Sequence, residues 1–254
     1  LESAPKNIEV KLQIRLPERM AAGYPPKVPE LYIISRNHTS KNALENANIM
    51  MNHYYQQASF VQSATTPKTL PQESGIEVAF AGRSNSGKSS TINRVCFQKS
   101  LARTSKTPGR TQLINFFTLP EGQLLVDLPG YGYAKVPENI KLQWQKFIEA
   151  YLTTRNTLKG LILVMDIRHP MTTFDQGLLT WAEHRQLPVH IVLNKADKLS
   201  KGAMHSTVLA VRKELVNYQM PVSAQAFSAT KGLGLEELWE KLDVWYERTL
   251  PTNT

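Results

Sequence analysis

The eight residues Gly82-Arg83-Ser84-Asn85-Ser86-Gly87-Lys88-Ser89 constrain this chain more than any other stretch. They follow an apolar run, 76–81, that reads as a short buried strand, and they lead into a segment, 88–97, that reads as a helix. Two glycines at this spacing, with Lys-Ser directly after the second, let backbone N–H groups turn inward around phosphates. A side chain at either glycine would obstruct that wrap, and the start of the helix adds its partial positive charge. Lys88 is placed to reach the β- and γ-phosphates, and the Ser89 hydroxyl to bind Mg²⁺.

From residue 76 onward strands and helices alternate. Residues 112–119 and 123–126 read as a hairpin pair around Pro120-Glu121-Gly122. Ile140, Trp144, Phe147, Ile148 and Tyr151 mark one face of an amphipathic helix. Residues 161–165 and 189–193 are two further buried strands with a helix at 174–184 between them. Val208, Val211, Leu215 and Tyr218 mark another helix, 222–227 a last strand, and the stripe Leu235, Leu238, Trp239, Leu242, Trp245, Tyr246 a closing helix whose aromatics read as core packing. The expected class is α/β: a mostly parallel, six-stranded sheet with helices on both faces. Ligands in such folds bind beyond the carboxyl ends of the strands.

Three more motifs fall at those ends. Asp127-Leu128-Pro129-Gly130 follows an apolar strand, with Asp127 placed to hold Mg²⁺ through water and the Gly130 N–H to sense the γ-phosphate. Asn194-Lys195-Ala196-Asp197 selects the base. A carboxylate accepts two hydrogen bonds from guanine's N1–H and exocyclic amine, whereas adenine would leave Asp197 buried and unpaired. Lys195 can lay its stem along the base plane. In the lid Ser228-Ala229-Thr230, Ser228-Ala229 then offers a backbone N–H to guanine O6. A second switch needs a threonine, for which Thr104, Thr107 and Thr111 are candidates; the turn Pro108-Gly109-Arg110-Thr111 just before a strand favours Thr111. Many small GTPases carry a water-orienting glutamine directly after Asp-x-x-Gly. Tyr131 stands there instead, so slow intrinsic hydrolysis is expected. Asn85, inside the phosphate loop, is a candidate to hold K⁺ beside the phosphates.

The chain's 254 residues, 41% of them hydrophobic, suffice for one soluble domain plus an extension. The apolar run 161–165 is too short to span a bilayer, and no membrane partner is expected. Cys96 is the only cysteine, which excludes an intrachain disulfide and a cysteine metal cluster and fits a reducing cytoplasm. The histidines at 38, 53, 169, 184, 190 and 205 show no ligand spacing and read as surface or satisfied core residues. Net charge is +9, unevenly spread. No acidic residue lies between Glu77 and Glu121, where Arg83, Lys88, Arg94, Lys99, Arg103, Lys106 and Arg110 are all basic. That run is either a solvated face or a field that attracts a polyanion such as RNA. Residues 1–50, with Pro17, Pro25, Pro26 and Pro29, differ from the rest of the chain and alternate weakly only over 8–16. They read as a disordered arm or as sequence upstream of a natural start at Met50 or Met51.

Pro108-Gly109-Arg110-Thr111-Gln112, Gly82-Arg83-Ser84-Asn85 and Asp127-Leu128-Pro129-Gly130-Tyr131-Gly132-Tyr133-Ala134 together resemble the bacterial EngB (YihA/YsxC) family, within the TrmE-Era-EngA-EngB-Septin-like superfamily, from about residue 59 to 250. The resemblance implies a Ras-like P-loop GTPase fold, Mg²⁺-GTP binding, a cytoplasmic role in large ribosomal subunit assembly, and a link to normal cell division and septation. Carried over motif by motif, it places nucleotide contacts on Gly82, Arg83, Ser84, Asn85, Ser86, Gly87, Lys88 and Ser89, and on Gly109, Arg110, Thr111, Gln112 and Leu113. Further contacts fall on Asp127, Leu128, Pro129 and Gly130, on Asn194, Lys195, Ala196 and Asp197, and on Phe227, Ser228 and Ala229. It places the metal on Ser89 and Thr111, beside Asp127, and the catalytic groups on Lys88, Thr111 and Gly130. Asn194 departs from the threonine expected in many members. Residues 1–50 lie outside the family pattern; 51–75 form the N-terminal segment of the GTPase, 76–250 the G domain and 251–254 a tail. The expected partners are the large ribosomal subunit or its rRNA and guanine nucleotide, with no DNA, and the expected state is a monomer. A GTP-responsive scaffold for division proteins and a tRNA-modification-type G domain are the alternatives.

Overall fold

The computed structural model describes residues 53–102, 113–131 and 138–248. The expectations for residues 1–50, for the tail 251–254, and for Gly109, Arg110, Thr111 and Gln112 lie outside these. Within them, seven segments pair into one mixed sheet: β1 (Ser59–Ala64), β2 (Glu77–Gly82), β3 (Ile114–Thr118), β4 (Leu124–Asp127), β5 (Leu158–Asp166), β6 (Val189–Asn194) and β7 (Val222–Ala226). The spatial order is β1-β3-β4-β2-β5-β6-β7. Pairing is parallel from β4 through β7, and antiparallel for β3 with β4 and β1 with β3.

The sheet therefore has seven strands among the described residues, not the six expected. The added strand is β1, whose sequence Ser-Phe-Val-Gln-Ser-Ala carries little apolar pattern because it lies at an edge. Phe60 and Val61 are exposed there, and the register slips between Phe60 and Gln62, a bulge of the kind common at sheet edges, with pairing to β3 resuming beyond it.

Helices α1 (Lys88–Val95), α2 (Glu138–Thr154), α3 (Thr173–His184), α4 (Lys201–Leu215) and α5 (Leu235–Trp245) cover the two faces. Alternate residues of each central strand feed opposite cores. Ala79, Leu161, Leu163 and Leu193 pack on one side, while Val78, Phe80, Ile162, Val164 and Val192 pack on the other with α1 and α5. With both faces buried, these strands read as continuous apolar runs. The aromatic stripe of α5 is core: Trp239 stacks on Tyr55 and donates from Nε1 to the Val95 carbonyl at 3.1 Å. α1 ends two residues sooner than its apolar pattern suggests, because Cys96 caps it and Phe97 turns to φ 51°.

Parallel register brings the carboxyl ends of the strands into one row. Gly82 lies beside Val164, Phe80 beside Asp127, and Asp166 beside Asn194. The loops that leave these positions must meet.

Candidate nucleotide site

The loop between β2 and α1 is shaped by its two glycines. A Cβ on Gly82 would lie 2.5 Å from the Val164 carbonyl oxygen, and one on Gly87 would lie 2.1 Å from Nδ2 of Asn194. Gly87 also caps α1 in the left-handed region, at φ +94°, where an L side chain is strained. Asn85 adopts the left-handed region too, at φ 65°, and Ser86 N–H closes the turn on the Arg83 carbonyl at 3.0 Å. The Ser86 hydroxyl is buried without a hydrogen-bond partner among the described residues.

Lys88 opens α1 and is buried; its ammonium pairs with the buried carboxylate of Asp127 at the end of β4. Both face one cavity, whose wall also includes Arg83, Ser84, Asn85, Ser89, Gly130 and Lys195. Leu128, Pro129 and Leu113 line it as well. Thr111, the expected second metal ligand, lies outside the described residues. Ser89 and Asp127 supply an alcohol and a carboxylate to the same cavity, hard oxygen donors of the type Mg²⁺ takes. Among the described residues no cluster of three or more His, Cys, Asp or Glu could hold an ion unaided. An ion here would complete its shell from water and phosphate, which is the habit of Mg²⁺.

The base-reading loop leaves β6 at Asn194, whose side chain spans two loops. Its Nδ2 donates to the Ser86 carbonyl at 3.0 Å, and its Oδ1 accepts from Ala229 N–H at 3.2 Å. Ala229 N–H, one of the two donors expected for guanine O6, thus has a protein acceptor here. Lys195 takes φ 67° and donates from Nζ to the Asn85 carbonyl at 2.6 Å and to Asp166 Oδ2 at 2.9 Å. Asp197 accepts at Oδ1 from Ser228 Oγ at 2.6 Å and from Thr230 Oγ1 at 3.2 Å. The Ser228 hydroxyl, and then Thr230 and Lys198, hold the Asp197 carboxyl below its usual range, which keeps it ionised. Ala196 N–H donates to the Phe227 carbonyl and Phe227 N–H to that of Leu193, so the base loop and its lid are stitched to β6.

Two acidic residues escaped the motif reading. Asp166 ends β5 and receives Arg168 through Nε at 2.9 Å and Nη2 at 2.7 Å besides Lys195. Those guanidinium bonds, and then Lys195, hold its carboxyl well below the usual range despite burial. Its one legible signal was its place, a charged residue at the carboxyl end of a central parallel strand. Asp175, in the first turn of α3, accepts from Tyr131; its only sequence signal was the capping-box spacing Thr172-x-x-Asp175, which announces a helix start and not a link to the site.

A mostly parallel sheet with a phosphate loop after β2, an acidic residue closing β4 and a base-reading loop after β6 defines a P-loop GTP-binding protein. Residues 77–195 match the family model described as 50S ribosome-binding GTPase. The chain is 52% identical over 197 residues to the probable GTP-binding protein EngB of Vibrio parahaemolyticus serotype O3:K6 (strain RIMD 2210633), covering 78% of this chain and 90% of that one. It is 52% identical over 200 residues to the probable GTP-binding protein EngB of Yersinia enterocolitica serotype O:8 / biotype 1B, covering 79% and 92%. The chain belongs to the EngB family of GTP-binding proteins. Among solved structures, a probable GTP-binding protein EngB aligns with TM-score 0.56 at 20% identity, over 68% of this chain and 100% of that one. Aquifex aeolicus Era bound to GDP and AlF₄⁻ aligns with TM-score 0.52 at 20% identity, over 70% and 57%. Both share the Ras-like P-loop fold.

Proposed function

We propose that the protein is a Mg²⁺-dependent GTPase switch with slow intrinsic turnover that acts in assembly of the large ribosomal subunit in the cytoplasm, and through it in normal division and septation. The observation that carries this reading is the match of residues 77–195 to the 50S ribosome-binding GTPase model, in a chain whose 78–120 stretch has basic but no acidic residues. A positive field beside the nucleotide mouth favours rRNA. The G domain spans 76–250, with 51–75 as its N-terminal segment, and works as a monomer.

In the bound state Lys88 holds the β- and γ-phosphates, the phosphate-loop N–H groups wrap them, and Asp197 pairs with guanine's N1–H and amine. Ser89 and Thr111, with Asp127 through water, would hold Mg²⁺, which would supply charge neutralisation on the phosphates. Gly130 N–H reads the γ-phosphate. Tyr131 offers no help to the attacking water, since a phenol is a poor substitute for a carboxamide and this one is already donating to Asp175 at 2.6 Å. Hydrolysis therefore waits for a partner or for K⁺ held near Asn85. Equal turnover in Na⁺ and K⁺ buffers, with and without ribosomal particles, would remove the K⁺ part.

The test of the whole reading is co-sedimentation with isolated large ribosomal subunits in GDP, GTP and a non-hydrolysable analogue over a salt series. Nucleotide-dependent, salt-sensitive pelleting is expected. Intact nucleotide binding with no pelleting in any state would move the partner search to division proteins.

A further inference from the structure

Tyr131 follows the γ-phosphate sensor Gly130 directly, and three contacts pin it. Its N–H donates to the Gly82 carbonyl at 3.4 Å, and its carbonyl accepts from Ser84 N–H at 2.8 Å, so its backbone is bridged to the phosphate loop. Its phenol, packed near the Phe174 ring, donates to Oδ1 of Asp175 at 2.6 Å. Burial pushes the phenol well above its ordinary pKa, so it remains a donor. Asp175 is buried and divides its carboxylate between two tasks. Oδ2 accepts from Thr172 N–H at 2.9 Å and Thr172 Oγ1 at 2.7 Å, closing the capping box of α3, which leaves Oδ1 for the tyrosine. A carboxylate fixed by a helix cap is a rigid anchor, and a charged acceptor makes a stronger bond than a neutral one.

We infer that Asp175 is a positioning residue for nucleotide discrimination: through the Tyr131 phenol it fixes where Gly130 stands, and so sets how strongly the site prefers GTP over GDP. This rests on reading the site as a GTP switch. GDP lacks the group Gly130 senses, so releasing Tyr131 weakens GTP binding and leaves GDP binding in place. The anchor also ties the sensor to the N-terminus of α3, which gives the nucleotide state a route to that helix.

The experiment titrates the full chain with fluorescent GDP and a fluorescent non-hydrolysable GTP analogue, for the parent, Tyr131→Phe, Asp175→Ala and Asp175→Asn. Tyr131→Phe removes only the hydroxyl and spares the cap. Tyr131→Phe and Asp175→Ala should each lower the analogue-to-GDP affinity ratio about tenfold or more, the scale of one hydrogen bond to a charged group. The double variant should lose no more than either single one. Asp175→Asn keeps an oxygen acceptor and should recover most of the ratio. A purely structural role would lower melting temperature and both affinities together, with the ratio unmoved, and that result overturns the inference. So does additive loss in the double variant. A parent that binds neither nucleotide would instead overturn the switch reading beneath it.

Discussion

The side chain of Asn194 donates from Nδ2 to the backbone carbonyl of Ser86 at 3.0 Å, so the base-reading loop and the phosphate loop are joined by one amide. Its other end accepts from Ala229 N–H at 3.2 Å, which brings in the base lid. Phosphate and base subsites thus share a keystone that is itself buried. Threonine at this position is shorter and cannot reach both partners. Asn194→Thr should therefore weaken GDP and GTP alike by about tenfold, on the order of one to two lost hydrogen bonds. Isothermal titration with both nucleotides checks it, and equal affinity in the variant would show that the bridge is dispensable.

Gly87 is the tightest point of the phosphate loop. At φ +94° an added Cβ is strained, and it would stand 2.1 Å from Asn194 Nδ2. Gly87→Ala should abolish measurable nucleotide binding while the sheet still forms, because the loop must open to make room. Truncating the neighbour does not cure the backbone strain, so Gly87→Ala combined with Asn194→Ala should bind no better. Far-ultraviolet circular dichroism alongside nucleotide titration separates loss of the site from loss of the fold.

Far from the site, β2 begins with a buried charge pair that no motif announces. Arg155 reaches Glu77 through Nε at 3.0 Å and through Nη2, while Nη1 donates to the Pro71 carbonyl at 2.7 Å. Tyr151 and Thr157 hydroxyls each donate to the same carboxylate at 2.9 Å. Arg155→Met strands a carboxylate in the interior and should cost about 3–5 kcal/mol in urea unfolding. Glu77→Gln removes the counter-charge of Arg155 but should cost less than Arg155→Met, since the amide oxygen still accepts from the cluster and the guanidinium keeps the Pro71 carbonyl. Nucleotide affinity at about 20 °C should hold in both, because Glu77 lies at the strand end opposite the phosphate loop.

What the sequence disclosed and what it withheld divide along physical lines. Segments 161–165 and 189–193 were legible because strands buried on both faces are apolar almost throughout, His190 being the exception, and β5 and β6 extend them only at their ends. The motif loops were legible because glycine, lysine and carboxylate spacing is fixed by the phosphates and the base. β1 was not, since its bulge and exposed edge remove the alternation that marks a strand. Asp166 and Asp175 were missed for another reason. Each acts on a motif residue across the fold, Lys195 in one case and Tyr131 in the other, and sequence separation hides such partners.

His190 gives the fold a pH dependence that can be read apart from its carboxylates. On β6 its ring is buried, with Nδ1 2.8 Å from Ser223 Oγ and Nε2 2.7 Å from Gln225 Oε1. Burial, with Lys241 and Arg212 acting in the same direction and the Gln225 bond opposing, lowers its pKa to about 4. In the unfolded chain the ring titrates at about 6.5. Above that value the ring is neutral in both states and costs nothing. As pH falls from about 6.5 toward 4 the unfolded chain takes up a proton that the folded one refuses, so stability declines by up to about 3 kcal/mol. His190→Gln cannot protonate. Its stability should therefore fall less than the parent's between about pH 7 and pH 4.5, with urea unfolding at both values as the measure. Parallel decline in the two proteins would mean that His190 is protonated in the folded state as readily as in the unfolded one.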